Sequence, residues 1–346
     1  MRISTQLQYD GDPKSAADSV VDLEKAGLDT VWVAEAYGFD GPTLMGYLAA
    51  RTERVRIAAG ILPLYSRTPT LIAMTAAGLD NISGGRAVLG LGASGPQVIE
   101  GFHGVPYTKP LTRTRETIEI CRKVWAREER LTHDGKAFQL PLPPEQGTGL
   151  GKPLKIINHP LRKDIPIHVA ALGVKNVAMT AELADGWLPL LFIPEKAERV
   201  WGESLAEGRA NRDPSLGELE ITAGGMLAIG EGEDTKKLLD FMRPMIALYV
   251  GGMGARGKNF YNTVAQRYGF EEAAAKIQDL YLDGKKDDAA AAVPEEFVEL
   301  TNMVGPESYV RERVEAFRAA GVTQLNVTPV GENPAALVEK VKGWVS

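Results

Sequence analysis

The sequence predicts a (β/α)8 barrel, the TIM-barrel fold, and three observations lead to this prediction. Segments rich in β-branched and aromatic residues alternate along the chain with segments of helical periodicity. Eight such strands can be counted, and nearly every one is followed by a helix. Regular alternation implies a parallel sheet with right-handed crossovers, and eight units close into a barrel. We therefore expect residues 1–346 to form a single barrel domain.

The first unit is visible at the start of the chain. Residues 1–8, MRISTQLQ, read as a short strand. Asp12 followed by Pro13 is typical of an N-cap and the first position of a helix. Gly27 ends that helix, because the residue after the last turn often needs a positive φ. The strand TVWVAE, residues 30–35, comes next.

The same pattern returns near the other end of the chain. Pro306 begins a helix, Gly321 ends it, and TQLNVTPV at 323–330 is the last strand. The five remaining predicted strands are 55–61, 87–92, 165–171, 186–191 and 218–230. Further helices are predicted at about 41–52, 69–83, 112–127, 174–184, 195–210 and 234–249.

Two segments interrupt the alternation and are predicted to be insertions. Residues 130–164 contain PLPPEQGTGLGKP, which is too rich in proline and glycine for a helix or a central strand. Residues 251–304 run from GGMGARGKNF through a helical patch to DGKKDDAAAA. Long insertions in a compact domain are usually lids or mobile surface. We expect substrate choice to depend on these two segments.

Composition narrows the class of protein. The net charge of −6 argues against a generally nucleic-acid-binding surface. The single cysteine, Cys121, excludes an intramolecular disulfide. The sequence shows no signal-peptide core and no apolar run of membrane-spanning length, so we expect a cytoplasmic protein without membrane contact. The four histidines are scattered, and no metal site is predicted.

A glycine-rich run at the end of the fourth strand raises the question of a dinucleotide site. Residues 90–95, GLGASG, match the pattern G-x-G-x-x-G. In a Rossmann fold this pattern follows the first strand, opens a helix and precedes an acidic residue about 20 positions later. Here it follows three earlier units, and the later segment TRTRETIEI is helical. The Rossmann interpretation therefore fails, and close approach of a flat ligand or of neighbouring backbone explains Gly90 and Gly92.

The other strand ends supply candidate binding groups, because ligand loops in a barrel follow the carboxyl ends of its strands. Glu35 ends the second strand, and the third ends at Gly60 and Ile61, where apolar residues suggest a platform for an aromatic ring. Residues 171–173 lead directly into a helix, whose bare N–H groups and dipole suit a phosphate. His168, on the fifth predicted strand, is interpreted as an interior imidazole with its hydrogen bonds satisfied, with a cofactor or substrate contact as the alternative.

Together these runs resemble the bacterial luciferase-like flavin and deazaflavin oxidoreductases. The resemblance lies in DTVWVAEAYGFD, in RIAAGILPLYSRTPTLIAMTAAGLDNISGGRAVLGLGAS, and in HVAALG with AELADGWLPLL. It is closest to the branch that depends on coenzyme F420. The resemblance implies a cofactor ring at the mouth of the barrel, a non-proline cis peptide at Gly60–Ile61, and, by analogy, a homodimer.

The resemblance also implies roles for individual residues. Glu35 matches an acidic position beside the ring and is the candidate catalytic residue. Gly60 and Ile61 would back the ring. The remaining positions match a ring or linker contact at Gly92, Ala93, Ser94 and Gly95, and a phosphate-binding turn at Ala171, Leu172, Gly173 and Val174. Arg67 is a further candidate, either for the acidic tail of a deazaflavin or as a solvated loop residue.

Two departures from the family pattern bear on mechanism. Many relatives carry a histidine after the acid of the second strand, where this chain has Ala36. Relatives acting on methylene-tetrahydropterins carry a glutamate in the first strand, where this chain has Gln6. Both differences remove a proton-transfer group that acid–base chemistry would use. Glu35 then remains as the candidate acid, with the alternative that it only holds the ring.

The resemblance implies an oxidoreductase that passes a hydride between C5 of coenzyme F420 and a small organic substrate. An FMN-dependent monooxygenase supplied by a separate reductase is the first alternative, because it would share the fold. A non-catalytic flavin-binding barrel is the second, because Ala36 and Gln6 replace the groups above.

Overall fold

Eight parallel strands close into a barrel in the computed structural model, which describes residues 1–7 and 11–345. The predicted fold is confirmed; Gln8, the last residue of the first predicted strand, lies outside the described residues. Around the ring the strands are β1 (Arg2–Gln6), β2 (Thr30–Val33), β3 (Arg56–Ala59), β5 (Ala87–Gly92), β8 (Ile167–Ala170), β9 (Gly186–Leu188), β10 (Glu220–Ile229) and β12 (Gln324–Pro329).

The ring closes between strands from the two ends of the chain. β1 pairs with β12, with Ser4 opposite Asn326, and with β2 on its other side. β9 pairs with β10, with Gly186 opposite Glu220. Every strand of the ring therefore has two parallel neighbours, and no edge is left open among them.

Four short strands lie outside this regular order. β4 (Leu62–Pro63) continues the path of β3 and pairs with β5. β6 (His133–Asp134) and β7 (Gln139–Leu140) form an antiparallel hairpin within the first insertion. β11 (Met303–Gly305) pairs with the far end of β10. The sequence analysis did not predict these pieces, which are two or three residues long.

Helices follow the strands as predicted and cover the outside of the ring. Asp12 caps the first of them by accepting hydrogen bonds from the N–H groups of Lys14 and Ser15, and Gly27 beyond its end has φ +96°. The helices of the barrel are α1 (Pro13–Lys25), α2 (Gly41–Arg51), α3 (Pro69–Ile82), α4 (Pro96–Gly101), α5 (Pro110–Ala126), α6 (Val174–Leu183), α7 (Pro194–Ala210), α14 (Glu307–Ala319) and α15 (Pro334–Val345).

The single helix predicted at 234–249 is wrong, because the segment is broken. Pro244 lacks an N–H and clashes with the preceding turn, so a continuous helix cannot pass through it. The chain forms α8 (Glu233–Lys237), a 3₁₀ turn, α9 (Arg243–Ala247) and a π turn at Leu248–Gly252. The second insertion then continues with α10 (Phe260–Arg267), α11 (Glu271–Leu282), α12 (Lys286–Ala291) and α13 (Glu295–Leu300).

The apolar core has two layers because successive strand residues face opposite sides of the sheet. Inside the ring, Trp32, Ala58 and Val88 form a small buried cluster against Leu188. The outward faces pack under the helices, with Ile3, Val31, Ile57, Leu89 and Val169 all buried. Within residues 1–7 and 11–345, no helix is both long and apolar enough to cross a membrane.

Candidate active site

The third strand turns sharply at the mouth of the barrel. Between β3 and β4 the peptide Gly60–Ile61 is cis, as the resemblance implied. The N–H of Gly60 donates to the carbonyl of Val33 at 2.8 Å, and the N–H of Glu35 donates to the carbonyl of Ile61 at 3.3 Å. Both residues of the cis peptide remain partly exposed at the mouth. The turn thus offers a small apolar platform held from below by the second strand.

The glycines of β5 are explained by this turn. A Cβ built on Gly90 would overlap the carbonyl oxygen of Ala59, and one built on Gly92 would lie 2.5 Å from Cδ1 of Ile61. The sequence left two explanations open, a flat ligand or the neighbouring backbone. The neighbouring backbone explains Gly90, and the neighbouring side chain of Ile61 explains Gly92. Gly92 nevertheless lies at the mouth, because it is covered by the side chain of Ile61, and Ile61 is part of the platform.

The loop after Gly92 borders the mouth. Ala93 is partly exposed, and Ser94 is exposed with a left-handed φ of +56°. The carbonyl of Ser94 accepts a hydrogen bond from the hydroxyl of Tyr107 at 3.2 Å. Gly95 is the N-cap of α4 and has no side chain to cap it. Gly92 thus ends the strand, and the other three predicted residues form a surface loop beside the platform.

Glu35 is engaged by two partners. Arg67 contacts both carboxylate oxygens, with Nη2 2.8 Å from Oε2 and Nη1 on Oε1. The N–H of Gly41 donates to Oε2 at 2.6 Å, so the carboxylate also holds the start of α2. Both charged side chains are largely buried, Glu35 with 7% and Arg67 with 13% of its side chain exposed. Arg67 is thus not a solvated loop residue, and the catalytic role of Glu35 stays a prediction.

The turn after β8 is held by two tryptophans. The indole N–H of Trp187 donates to the carbonyl of Ala171 at 2.8 Å, and that of Trp201 donates to the carbonyl of Leu172 at 2.9 Å. Gly173 is the N-cap of α6 and offers no capping side chain. A helix begins with N–H groups that have no partner within the helix. Two carbonyls of the turn are thus bound from inside, and a phosphate-binding role for Ala171 to Val174 stays a prediction.

The second insertion is fixed over this turn. Phe260, at the start of α10, lies so close to Gly173 that a Cβ there would be 2.9 Å from its ring. The hydroxyl of Tyr268 donates to the carbonyl of Leu191 at 3.0 Å and accepts from the N–H of Ile193 at 3.1 Å. The insertion therefore forms part of the mouth.

Sequence reasoning missed a group of aromatic side chains near the mouth, to which the second insertion contributes Tyr261. Tyr249 and Tyr261 contact each other with ring centroids 4.7 Å apart, and burial raises the pKa of each hydroxyl. Tyr107 stacks on Tyr65 at 5.0 Å. The sequence did offer one signal for this group, a tyrosine on each side of the run GGMGARGKN. The positions of the rings, however, are visible only once the insertion is packed on the barrel.

His168 lies inside the barrel below the mouth. Its ring is fully buried 5.3 Å from that of Trp32, and a Cβ on Gly186 would overlap it. Burial lowers the pKa of His168 to about 4, so the imidazole is neutral at neutral pH. Its Nε2 lies 3.5 Å from Oε2 of Glu220. The predicted interior position is confirmed, but the imidazole is not satisfied as expected, because neither ring nitrogen has a hydrogen-bond partner among the residues that the structure describes.

The two positions that depart from the family pattern are both at the mouth. Gln6 ends β1, and its Oε1 would be 3.7 Å from a Cβ on Gly60, so the amide lies beside the platform. Ala36 is exposed in the loop after β2. Within the described part of the chain, no group of three or more metal-ligating side chains comes together.

Comparison with known proteins places this geometry in a family. The model of a family described as luciferase-like monooxygenase matches residues 1–324. The chain is 44% identical over 332 residues, 95% of both chains, to a Mycobacterium tuberculosis protein named "Putative coenzyme F420-dependent oxidoreductase Rv3520c". It is 28% identical to the 5,10-methylenetetrahydromethanopterin reductase of Archaeoglobus fulgidus, over 92% of this chain and 90% of that protein.

A solved structure shows the same fold. The coenzyme F420-dependent tetrahydromethanopterin reductase of Methanopyrus kandleri superimposes with a TM-score of 0.77 at 24% identity, covering 98% of this chain and 96% of the other. The family match over nearly the whole chain and the 44% identical relative lead to one conclusion: this protein belongs to the luciferase-like monooxygenase family.

Proposed function

We propose that this protein is a coenzyme F420-dependent oxidoreductase that transfers a hydride between the C5 position of the deazaflavin and a small organic substrate. The observation that carries the proposal is the 44% identity, over 95% of both chains, with the Mycobacterium tuberculosis relative named for that coenzyme. Barrel geometry alone would serve FMN equally well. The sequence relationship therefore supports coenzyme F420 over FMN.

The residues of the mouth fit such a cofactor. The Gly60–Ile61 platform is apolar and suits the face of a flat ring. The turn from Ala171 to Val174 has its carbonyls bound by tryptophans, which leaves backbone N–H groups for a phosphate. Lys175 is exposed in the first turn of the same helix and adds positive charge. We propose that platform and turn hold the ring and the phosphate, respectively.

When bound, the deazaflavin supplies the hydride chemistry, and the protein supplies position and electrostatics. The platform covers one face of the ring, so the substrate meets the other face. Glu35 has both oxygens engaged by Arg67 and Gly41, which favours the alternative that it positions the loop beside the ring. A proton-transfer role for Glu35 would require this pair to open.

An FMN-dependent monooxygenase is the second candidate, and the description of the matching family favours it. Titration of the purified protein with coenzyme F420 and with FMN, followed by quenching of tryptophan fluorescence, separates the two. We expect saturable binding of F420 and much weaker binding of FMN. Tight binding of FMN alone would overturn the proposal.

Two tryptophan variants test the phosphate turn. Trp201→Phe removes the N–H that binds the carbonyl of Leu172, whereas Trp125→Phe removes an equally buried N–H that binds the carbonyl of Ala73 elsewhere. Both variants should lose roughly 0.5–1.5 kcal/mol of stability, since each loses one hydrogen bond. Only Trp201→Phe should raise the Kd for F420, by about tenfold. Equal F420 affinity in the two variants would place the phosphate elsewhere.

A further inference from the structure

Four tyrosines from three separate parts of the chain come together over the mouth. Tyr37 follows β2, Tyr107 precedes α5, Tyr249 lies in the π turn and Tyr261 in the first turn of α10. We call these four residues the tyrosine cluster. Its members share no strand or helix, so only the packing of the second insertion on the barrel brings them together.

Contacts locate the cluster at the candidate site. The hydroxyl of Tyr107 donates to the carbonyl of Ser94, in the predicted ring-contact loop. Tyr261 follows Phe260, whose ring covers Gly173 of the phosphate turn. The rings of Tyr249 and Tyr261 are 4.7 Å apart with an interplanar angle of 59°. The cluster therefore lies between the loop after β5 and the turn after β8.

The hydroxyls of the cluster influence one another. Burial raises the pKa of Tyr261 most, and the neighbouring phenols of Tyr249 and Tyr107 raise it further. Burial and then the phenol of Tyr37 raise the pKa of Tyr249. The pKa of Tyr107 rises to about 12, first through burial. These phenols therefore stay protonated at neutral pH and can donate hydrogen bonds.

Other groups of the mouth are poorly placed to give a proton. Ala36 and Gln6 carry no titratable group. Both oxygens of Glu35 are engaged by Arg67 and by the N–H of Gly41. His168 is fully buried beneath the mouth against Trp32. Tyr261, by contrast, is partly exposed and sits between two other phenols of the cluster.

We propose that Tyr261 donates a hydrogen bond, and then its proton, to the oxygen of a planar, uncharged carbonyl substrate held within the tyrosine cluster. The proposal rests on the proposed function and names its substrate class. The aromatic rings suit a planar molecule, and the cluster offers hydroxyl donors without charge. Tyr249 flanks Tyr261 and supports the same oxygen.

With the reduced deazaflavin bound, the carbonyl carbon would gain a hydride as the C–H bond at C5 breaks. The carbon–oxygen π pair would move to oxygen, and that oxygen would take the phenol proton of Tyr261 as its O–H bond breaks. A C–H and an O–H bond form, the carbonyl is reduced to an alcohol, and the cofactor is oxidised. Tyr261 regains a proton from solvent, because its side chain is partly exposed.

Binding of benzamide tests the proposal without turnover, because this planar amide presents a carbonyl that is not reduced. Its Kd is measured by calorimetry with and without saturating F420, on wild type and on three variants. Tyr261→Phe should weaken benzamide binding about tenfold, the equivalent of one lost hydrogen bond of about 1.4 kcal/mol. Tyr249→Phe should weaken it about threefold. Tyr309→Phe, on α14 outside the cluster, should bind like wild type.

Each other outcome has a defined meaning. Benzamide that fails to bind wild type, or that binds Tyr261→Phe as tightly as wild type, overturns the proposal. Equal weakening in Tyr309→Phe overturns it too, because the effect would then be general. F420 should bind wild type and Tyr261→Phe equally. If F420 binds neither but benzamide still distinguishes them, the proposed function fails and the assignment of Tyr261 as the carbonyl donor survives.

Discussion

The two ends of the barrel are built from different chemistry. At the amino ends of the strands, which we call the floor, Arg56 donates to Thr30 at 3.0 Å and to Gln324 at 2.5 Å. Glu220 pairs with Arg2 and lies 3.6 Å from Arg56. The floor is thus a network of charged and amide side chains that bind one another.

The mouth presents fewer charged side chains than the floor. The pair of Glu35 with Arg67 is turned inward, where it holds the start of α2. The surfaces that we propose for a ligand are a short apolar turn at Gly60–Ile61, backbone N–H groups after Gly173, and the tyrosine cluster. The floor thus brings buried charged and polar side chains together, although Oε2 of Glu220 and both ring nitrogens of His168 lack a hydrogen-bond partner among residues 1–7 and 11–345. The mouth instead presents mainly apolar and backbone groups, and in a barrel ligands bind at the carboxyl ends of the strands.

The largest effect is expected where β5 passes under the turn of the third strand. Gly90→Ala places a methyl group on the carbonyl oxygen of Ala59. Overpacking usually costs about 1–3 kcal/mol, but this clash is with backbone that cannot rotate away. We expect a loss approaching the whole stability of a typical domain, about 5–15 kcal/mol. Urea unfolding followed by circular dichroism would measure it.

Gly78→Ala is the matched control for that variant. Gly78 lies within α3, and a Cβ there would meet nothing within 4 Å. Alanine is favoured over glycine inside a helix, so this change should stabilise the protein by about 0.5–1 kcal/mol. A folded Gly90→Ala protein of wild-type stability would show that the two strands do not approach as described.

The second test compares one arginine from each end. Arg67→Met leaves the carboxylate of Glu35 largely buried without its ion-pair partner, which should cost about 3–5 kcal/mol. Arg56→Met should cost less, about 1–3 kcal/mol, because Glu220 keeps Arg2. We expect only Arg67→Met to weaken F420 binding in a fluorescence titration. The distinction between floor and mouth fails if Arg56→Met weakens binding as much.

The smallest expected effect concerns pH and the floor. His168 has a pKa of about 4 in the folded protein, because burial disfavours its charged form, and about 6.5 when unfolded. Between these values the unfolded chain binds the extra proton, so stability falls as pH drops from about 6.5 to about 4. The slope contributed is at most about 1.4 kcal/mol per pH unit.

Variants isolate this contribution from other titrating groups. His168→Gln should show a shallower loss of stability than wild type across that window in urea unfolding at a series of pH values. His159→Gln changes an exposed histidine and should keep the wild-type slope. Identical slopes in all three proteins would mean that His168 is protonated inside the barrel.

Much of the architecture was accessible from local sequence signals. Asp12 with Pro13 and Gly27 bounded the first helix where the structure has it, because a cap and a positive φ are properties of a few consecutive residues. Segments rich in β-branched and aromatic residues located all eight strands of the ring. The single helix expected at 234–249 is interrupted near Pro244. The proline was a local signal against a continuous helix, and the prediction did not take it into account.

The candidate site was accessible only in part. Family resemblance placed the cis peptide at Gly60–Ile61, and the structure has it there. The bidentate pairing of Arg67 with Glu35 spans 32 positions of the sequence, and no local pattern connects the two. The tyrosine cluster depends on how a long insertion packs, for which the sequence offered no period or motif.

The sequence by itself determined the alternation of strands and helices, and hence the closed ring, because hydrophobic period, caps and glycine stops act within a few residues. Only the tertiary structure decided what each strand end presents. It placed the backbone of Ala59 against Gly90, bound Glu35 to Arg67, and turned the carbonyls of Ala171 and Leu172 toward two tryptophans. These contacts join residues distant in the chain, and their geometry exists only once the ring has closed.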